Sequence, residues 1–450
     1  MKILSITTQK PHSTGSGIYL TELVRSLDRM KHEQAVVAGV YISDSVSFPE
    51  GVDFYPVFYT EPGKGSKNGV VKEPENEPGN APMNAPESDI PFPILGMSDV
   101  MPYPSTRYSD LTDGDIETLE KHFITVISEA VRNLDPDVII CHHLYLLTAM
   151  VRKHFPDRRV AGISHGSDLR QIRNCGSHRA EIREYIRKLD LICALHGHQR
   201  DDICDIFNVP EDDVFILGSG YNPEIFNAGE GKVAVTRSEA EGDPIRLMYA
   251  GKICGEKGLA PLFDALSEIA ADHAVTPFRL RLAGGCNDSE LSKRIWRSEA
   301  EACTIGEVEG LPFRAEYLGM LRQSDLADEL RESDVFILPS YYEGLPLVLV
   351  EAMACGAIPV CTDLPGIRPW IESRIGSDEV IFVKPPRMEK PGKPFEGDLP
   401  AFSEDLKKAV LSAFDRVKDD RLRGFRELPG TSEISWDSVA ETLVDFCNFI

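Results

Sequence analysis

The stretch Val335-Phe336-Ile337-Leu338-Pro339-Ser340-Tyr341-Tyr342-Glu343-Gly344-Leu345-Pro346-Leu347-Val348-Leu349-Val350-Glu351-Ala352-Met353-Ala354-Cys355-Gly356 decides how this chain folds. Val335 to Leu338 is an unbroken apolar run, as expected of a strand buried on both faces, and Ile358 to Thr362 opens another. Between them the pattern predicts a helix beginning near Leu345. Strand, helix, strand at this spacing builds a parallel sheet covered by helices. The helix carries an oddity, because Glu351 falls about 9 Å along an otherwise apolar segment at ~1.5 Å rise per residue. A carboxylate there needs partners, since burying it unpaired is expensive. Either a neighbouring Arg pairs with it or ligand hydroxyls donate to it. On the second reading Glu343, ahead of the helix, also accepts from ligand hydroxyls, while Gly344 and the helix start face an anionic group.

The same alternation runs along the chain. In the first half strands are predicted at Lys2 to Thr7, Gln34 to Tyr41, Asp53 to Tyr59, Asp137 to His142, Arg159 to Ser164, Leu191 to Leu195 and Val214 to Leu217. In the second half they are Ile245 to Ala250, Phe278 to Ala283, Ala315 to Leu318, Val335 to Leu338, Ile358 to Thr362 and Val380 to Val383. This predicts an α/β protein built twice, with domains at 1–226 and 244–430. Asn227 to Asp243, Gly- and Glu-rich and without periodicity, is the expected linker. In 431–450, Trp436, Val439, Leu443, Val444 and Phe446 fall at helical spacing, as expected of a terminal helix packing back on the first domain. The span 61–104 holds nine prolines and five glycines, too many for regular structure, and reads as an insertion. Its second half, from Ile90 to Tyr103, is apolar and should pack, at a cleft mouth, rather than remain solvated.

A chain of 450 residues has length for two or three domains. Its 72 acidic against 48 basic residues give a net charge of −24, which argues against nucleic acid as a partner. The apolar run before Gln9-Lys10-Pro11 is too short for a signal peptide, and no stretch approaches the ~20 apolar residues of a spanning helix, so a cytoplasmic location is expected. The ten cysteines include no Cys-x-x-Cys pair, and most fall in apolar runs, as expected of reduced buried thiols rather than disulfides or zinc ligands.

Ligands of open α/β sheets bind beyond the carboxyl ends of the strands. After the first strand come Ser13-Thr14-Gly15-Ser16-Gly17 and a helical pattern over Tyr19 to Met30, where glycines let backbone N–H groups approach an anion. After the first strand of the second series comes Gly251-Lys252-Ile253-Cys254-Gly255-Glu256-Lys257-Gly258, with a helix expected from about Gly258. Two lysines ahead of a helix start form an anion cradle, though not a Walker loop, because no Gly-Lys-Ser/Thr occurs.

Taken as a set, these motifs resemble the family 4 retaining glycosyltransferases of GT-B fold. The likeness lies in Glu343 and Glu351 with seven residues between them, the small-residue helix ending at Gly356, Gly251-Lys252, Lys257-Gly258, and the phrase Gly218-Ser219-Gly220-Tyr221-Asn222 running to Phe226. The resemblance implies two Rossmann-like domains facing a central cleft. It also implies transfer of a hexosyl-type sugar from a UDP- or GDP-linked donor to an acceptor hydroxyl, with retention and without metal or cofactor. It places Glu351 on the ribose, Glu343 on the transferred sugar, Lys252 and Lys257 on the diphosphate with Gly344 and Leu345 beside them, and Gly17 near the diphosphate. His165 of Ser164-His165-Gly166-Ser167-Asp168 would lie near the reacting sugar. Lys252 stands where the family usually has Arg and lacks its planar fork.

Three other functions compete. His142, His143, His165, His196 and His198 fall at carboxyl ends of first-domain strands, with His12 in the first loop, and His196-Gly197-His198 could hold a metal in a hydrolase. A sugar-nucleotide epimerase shares the GT-B fold, and a non-catalytic sugar-binding protein would close on its ligand without turnover. Asp135-Pro136-Asp137 precedes its strand and reads as a turn. Arg152 to Asp190 carries ten basic against five acidic residues, so Arg170 and Arg173 are candidates for an anionic acceptor, a phosphorylated sugar or a lipid phosphate. Peripheral membrane contact through Arg179 to Lys188 is a further partner reading, opposed by the overall charge.

Overall fold

In the computed structural model, the described residues are 1–62, 89–97, 101, 103–174, 176, 178–228, 232–234, 243–272, 275–286, 304–376, 378–390 and 392–449. The chain forms two compact units, Met1–Leu217 with Val439–Ile450, and Gly218–Ser438. The division falls ahead of Tyr221 and Phe226 because both are buried in the second unit's core.

The first unit contains β1 (Lys2–Thr7), β2 (Glu33–Val40), β3 (Val52–Phe58), β4 (Val138–His142), β5 (Val160–Ile163), β6 (Leu191–Ala194) and β7 (Val214–Ile216). They form one parallel sheet in the order β3-β2-β1-β4-β5-β6-β7. Strands such as Val-Ile-Ile-Cys-His are buried along their whole length, which only helices on both faces permit. The helix Asp113–Leu134 supplies part of that cover through Ile116, Leu119, Phe123, Ile127 and Leu134. It starts at Thr112, whose side chain accepts from the Asp115 N–H while Asp115 accepts from Thr112 N–H in return.

The second unit contains β8 (Ile245–Ala250), β9 (Phe278–Ala283), β10 (Gly306–Glu307), β11 (Arg314–Gly319), β12 (Val335–Leu338), β13 (Ile358–Thr362) and β14 (Ile381–Val383). Their order is β10-β11-β9-β8-β12-β13-β14, parallel except for β10 at the edge. In both sheets the order reverses beside the first strand, between β1 and β4 and between β8 and β12. These are the points where loops diverge and leave a crevice beyond the strand ends.

Several expectations need correction. The helix after β12 is Leu347–Ala354 and does not begin near Leu345, because Leu345 precedes Pro346 and the pre-proline residue disfavours the helical conformation. The first helix is Gly15–Arg29, four residues earlier than predicted at its start, because the Thr14 side chain caps it by accepting from Gly17 N–H. The expected linker contains a strand, Lys232–Ala234, paired antiparallel with Phe425–Glu427. Most of the Pro-rich first half of 61–104 lies outside the described residues. From its second half, Ile90, Ile94, Leu95 and Met97 are buried in the first unit's own core. Among the described residues seven cysteines are free, but Cys286 is disulfide-bonded, against the expectation of reduced thiols throughout. In the terminal helix Trp436–Phe449, Phe446 packs against Phe215 at 4.8 Å between ring centroids.

Candidate functional site

In the second unit the loops after β8 and β12 are tied together across the reversal point. Lys257 Nζ donates to Glu343 Oε1 at 2.6 Å, and Ser340 Oγ donates to the same oxygen at 2.7 Å. The Tyr341 N–H donates to the Glu256 carbonyl at 2.9 Å. This approach is close enough to dictate Gly258, which has φ +65° and whose missing Cβ would stand 2.0 Å from the Pro339 carbonyl oxygen. The helix Leu259–Ala271 follows directly. Tyr249 Oη donates to the Lys252 carbonyl at 2.7 Å and braces the start of the loop.

The side chains of Lys257 and Glu343 are 18% and 16% exposed, so the pair is partly withdrawn from water. An ammonium has three donors, and one is used here. Glu343 Oε1 accepts twice, which leaves Oε2 as the less occupied oxygen. Gly344 and Leu345 lie in the half-buried turn between Glu343 and the helix, and Glu351 is buried one turn into it. Lys252 is exposed. The expected cradle residues thus occur on the two loops of one crevice, with Lys257 and Glu343 in direct contact. Ser340 was missed by sequence reasoning, although a hydroxyl three residues before a carboxylate was a usable signal.

In the first unit the corresponding point gathers His142 and His143 at the end of β4, His165 after β5, and Tyr19 and Gly17 on the first helix. His142 Nδ1 and His165 Nε2 lie 3.0 Å apart. The rings of Tyr19 and His143 meet that of His165 edge-on, at 4.9 Å and 4.8 Å between centroids. Burial holds His142 down to about 3 and His165 well below the usual imidazole range, and the neighbouring imidazoles push the same way. Burial lowers His143 too, against the opposing pull of Asp168. The cluster is therefore neutral at pH 7. Asp168, fully buried, accepts from Leu144 N–H at 2.7 Å, from Ser164 Oγ at 3.1 Å and from His165 N–H at 3.2 Å. It joins the chain after β4 to the chain after β5. Gly17 has no room for a side chain, because a Cβ would lie 2.5 Å from the Lys10 carbonyl oxygen.

Other expected residues are engaged elsewhere. Arg173 Nη2 contacts Asp202 Oδ1 at 2.5 Å, so an anionic acceptor there would have to displace a carboxylate, and Arg170 is half-buried. Much of the basic segment is likewise paired, Arg152 with Asp190, Lys153 with Glu120 and Glu181, and Lys188 with Glu184. His196 caps the helix Gly197–Phe207, its Nδ1 accepting from Gln199 N–H at 3.2 Å, so this ring nitrogen serves the helix start. Among the described residues no group of three or more His, Cys, Asp or Glu could hold a metal ion, and no helix is long and apolar enough to cross a membrane. Asp135 takes a left-handed conformation at the end of its helix, a turn as expected.

Residues 244–389 match the family model described as glycosyl transferases group 1. Over 294 residues the chain is 23% identical to an uncharacterized glycosyltransferase of Methanocaldococcus jannaschii, the alignment covering 61% of this chain and 66% of that one. The chain thus spans just under two thirds of that relative's length. Among solved structures it is similar to the sucrose-phosphate synthase of Thermosynechococcus elongatus, with a TM-score of 0.60 at 14% identity over 100% of this chain and 98% of that one. It is also similar to HepE of Anabaena in complex with UDP and glucose, with a TM-score of 0.56 at 11% identity over 100% of both chains. The fold is that of the GT-B proteins.

Proposed function

Taking as premise that residues 244–389 belong to the group 1 glycosyltransferases, we propose that the chain is a retaining, metal-independent transferase. It moves a hexosyl-type sugar from a UDP- or GDP-linked donor to an acceptor hydroxyl. The observation that carries this proposal is the Lys257–Glu343 pair, 2.6 Å long, at the strand-order reversal inside the matched residues. It puts a cation with spare donors beside a carboxylate with a spare oxygen, which suits a ligand bearing phosphate and hydroxyls together. In this proposal Lys257 and Lys252 neutralise the diphosphate near Gly344, Leu345 and Gly17. Glu343 accepts from a hydroxyl of the transferred sugar, Glu351 accepts from the ribose, and His165 lies at the reacting sugar. Arg170 and Arg173 are the candidate acceptor-side cations, Arg173 on exchanging its Asp202 partner for the ligand, and the acceptor is a hydroxyl compound that can be anionic.

The chemistry needs no protein nucleophile. The acceptor oxygen bonds to the anomeric carbon on the face from which the diphosphate leaves, and the departing phosphate oxygen takes the acceptor's proton. The protein's part is to stabilise negative charge growing on that phosphate and to hold the acceptor close. UDP and glucose, named with the Anabaena structure, make UDP-hexoses the first probes. The test incubates the chain with UDP- and GDP-hexoses and a panel of sugar, sugar-phosphate and polyol acceptors in EDTA. Nucleoside diphosphate release and the anomeric configuration of the product are read by NMR. Retained configuration in EDTA is expected; an inverted product or a strict divalent-metal requirement would contradict the proposal.

A further inference from the structure

We infer that His142 is a positioning residue that fixes which ring nitrogen of His165 carries the proton, so that His165 presents an N–H donor at Nδ1. This rests on His165 lying at the reacting sugar, and it specifies what His165 does there.

Two neutral imidazoles whose nitrogens lie 3.0 Å apart share one hydrogen bond, so one nitrogen must donate and the other accept. His142 Nε2 decides the direction, because it is buried and has no hydrogen-bond partner among the described residues. With its proton on Nε2, His142 would bury an N–H without an acceptor, the rarer and harder case to accommodate. With its proton on Nδ1, that N–H donates to His165 Nε2, and only a lone pair goes unmet. His165 Nε2 is then an acceptor, and its single proton resides on Nδ1. That is the reverse of the tautomer a free neutral histidine favours.

The surroundings hold this geometry. The two rings lie nearly parallel, at 8°, with centroids 5.2 Å apart, while Tyr19 and His143 meet His165 edge-on. Asp168 fixes the His165 backbone through its N–H and ties it to Leu144 on the chain after β4. An imidazole fixed as a donor at Nδ1 can hydrogen-bond a substrate oxygen there but cannot take a proton at that atom. The acceptor's proton must then leave by another route, which agrees with its transfer to the departing phosphate.

The test is a two-bond nitrogen–proton correlation spectrum of the full chain labelled in its histidine rings, with His165 assigned through His165→Gln. The expected wild-type spectrum has His165 Nδ1 protonated and Nε2 unprotonated. In His142→Asn the side-chain Nδ2 takes the place of the ring Nδ1 as donor and should keep that pattern, whereas His142→Leu should shift the proton towards Nε2. Transfer should follow, with kcat falling about tenfold or more in His142→Leu at a donor KM within about twofold, and with most of the loss recovered in His142→Asn. A wild-type His165 protonated on Nε2 overturns the inference, and that spectrum decides even if His142→Leu does not fold. So does a His142→Leu spectrum identical to wild type. Undiminished transfer by His165→Ala would instead remove His165 from the reacting sugar and leave the tautomer result standing.

Discussion

Lys257 and Glu343 are 86 residues apart in sequence, yet their ammonium and carboxylate meet at 2.6 Å where the second sheet reverses its strand order. The contact depends on the loops after β8 and β12 approaching within backbone hydrogen-bond distance, which Gly258 allows. Lys257→Met should therefore weaken nucleoside diphosphate binding by about tenfold or more, since a hydrogen bond to a charged group is worth ~1.5–3 kcal/mol. Calorimetric titration with UDP and GDP checks this, and unchanged affinity would move the diphosphate away from Lys257.

Gly258→Ala should cost stability out of proportion to the single methyl added. The residue has φ +65°, and the new Cβ would stand 2.0 Å from the Pro339 carbonyl oxygen, so the loop must move. A loss of about 2 kcal/mol or more is expected, read as a lower urea midpoint. Gly15→Ala is the control, because nothing among the described residues lies within 4 Å of its added Cβ and φ there is not positive.

Asp168→Ala should destabilise the first unit by about 2–4 kcal/mol, because three donors lose a buried acceptor. Asp168→Asn, which keeps one acceptor oxygen, should lie between. Thermal unfolding of the three proteins provides the ordering, and equal midpoints would show that the carboxylate holds nothing.

The buried histidines set a pH dependence with a definite sign. His142 has its pKa lowered from 6.5 to about 3 in the folded chain, so between those values the unfolded chain binds a proton that the folded chain does not. Stability from this group is complete above about pH 6.5 and falls by up to ~1.4 kcal/mol per pH unit on acidification towards pH 3. The unfolding midpoint of the wild type should therefore drop more steeply between pH 6.5 and 4.5 than that of His142→Leu. Parallel curves would mean that His142 is not held neutral.

Much of this was legible in the sequence because a doubly covered parallel sheet requires continuous apolar strands. Ile245–Ala250, Phe278–Ala283, Val335–Leu338 and Ile358–Thr362 have the bounds their apolar runs indicate. The site was legible as residue types on loops, since strand ends point to ligands. Which partners those residues take was not, because it depends on contacts between loops far apart in sequence. Lys257 and Glu343, which carry assignments on different parts of a ligand, also meet each other, and Arg173 is held by Asp202. Asp168 stands out in the sequence only as part of a motif, because nothing local marks a buried carboxylate whose donors lie on two loops. The helix start at Leu347 could have been read from Pro346, but the Lys232–Ala234 strand could not, since its partner lies about 190 residues on.

Thermal unfolding with added ligand, in EDTA, reads out whether the second unit's crevice takes a nucleotide. A nucleoside diphosphate or nucleotide sugar at 100 times its Kd should add about 2.7 kcal/mol, or several degrees in Tm. UDP or GDP, or a sugar derivative of one, should give that shift with the wild-type chain and lose it with Glu351→Ala, as the proposed donor site requires. A flat response across the whole nucleotide panel, or a Glu351→Ala chain that responds like the wild type, would contradict it.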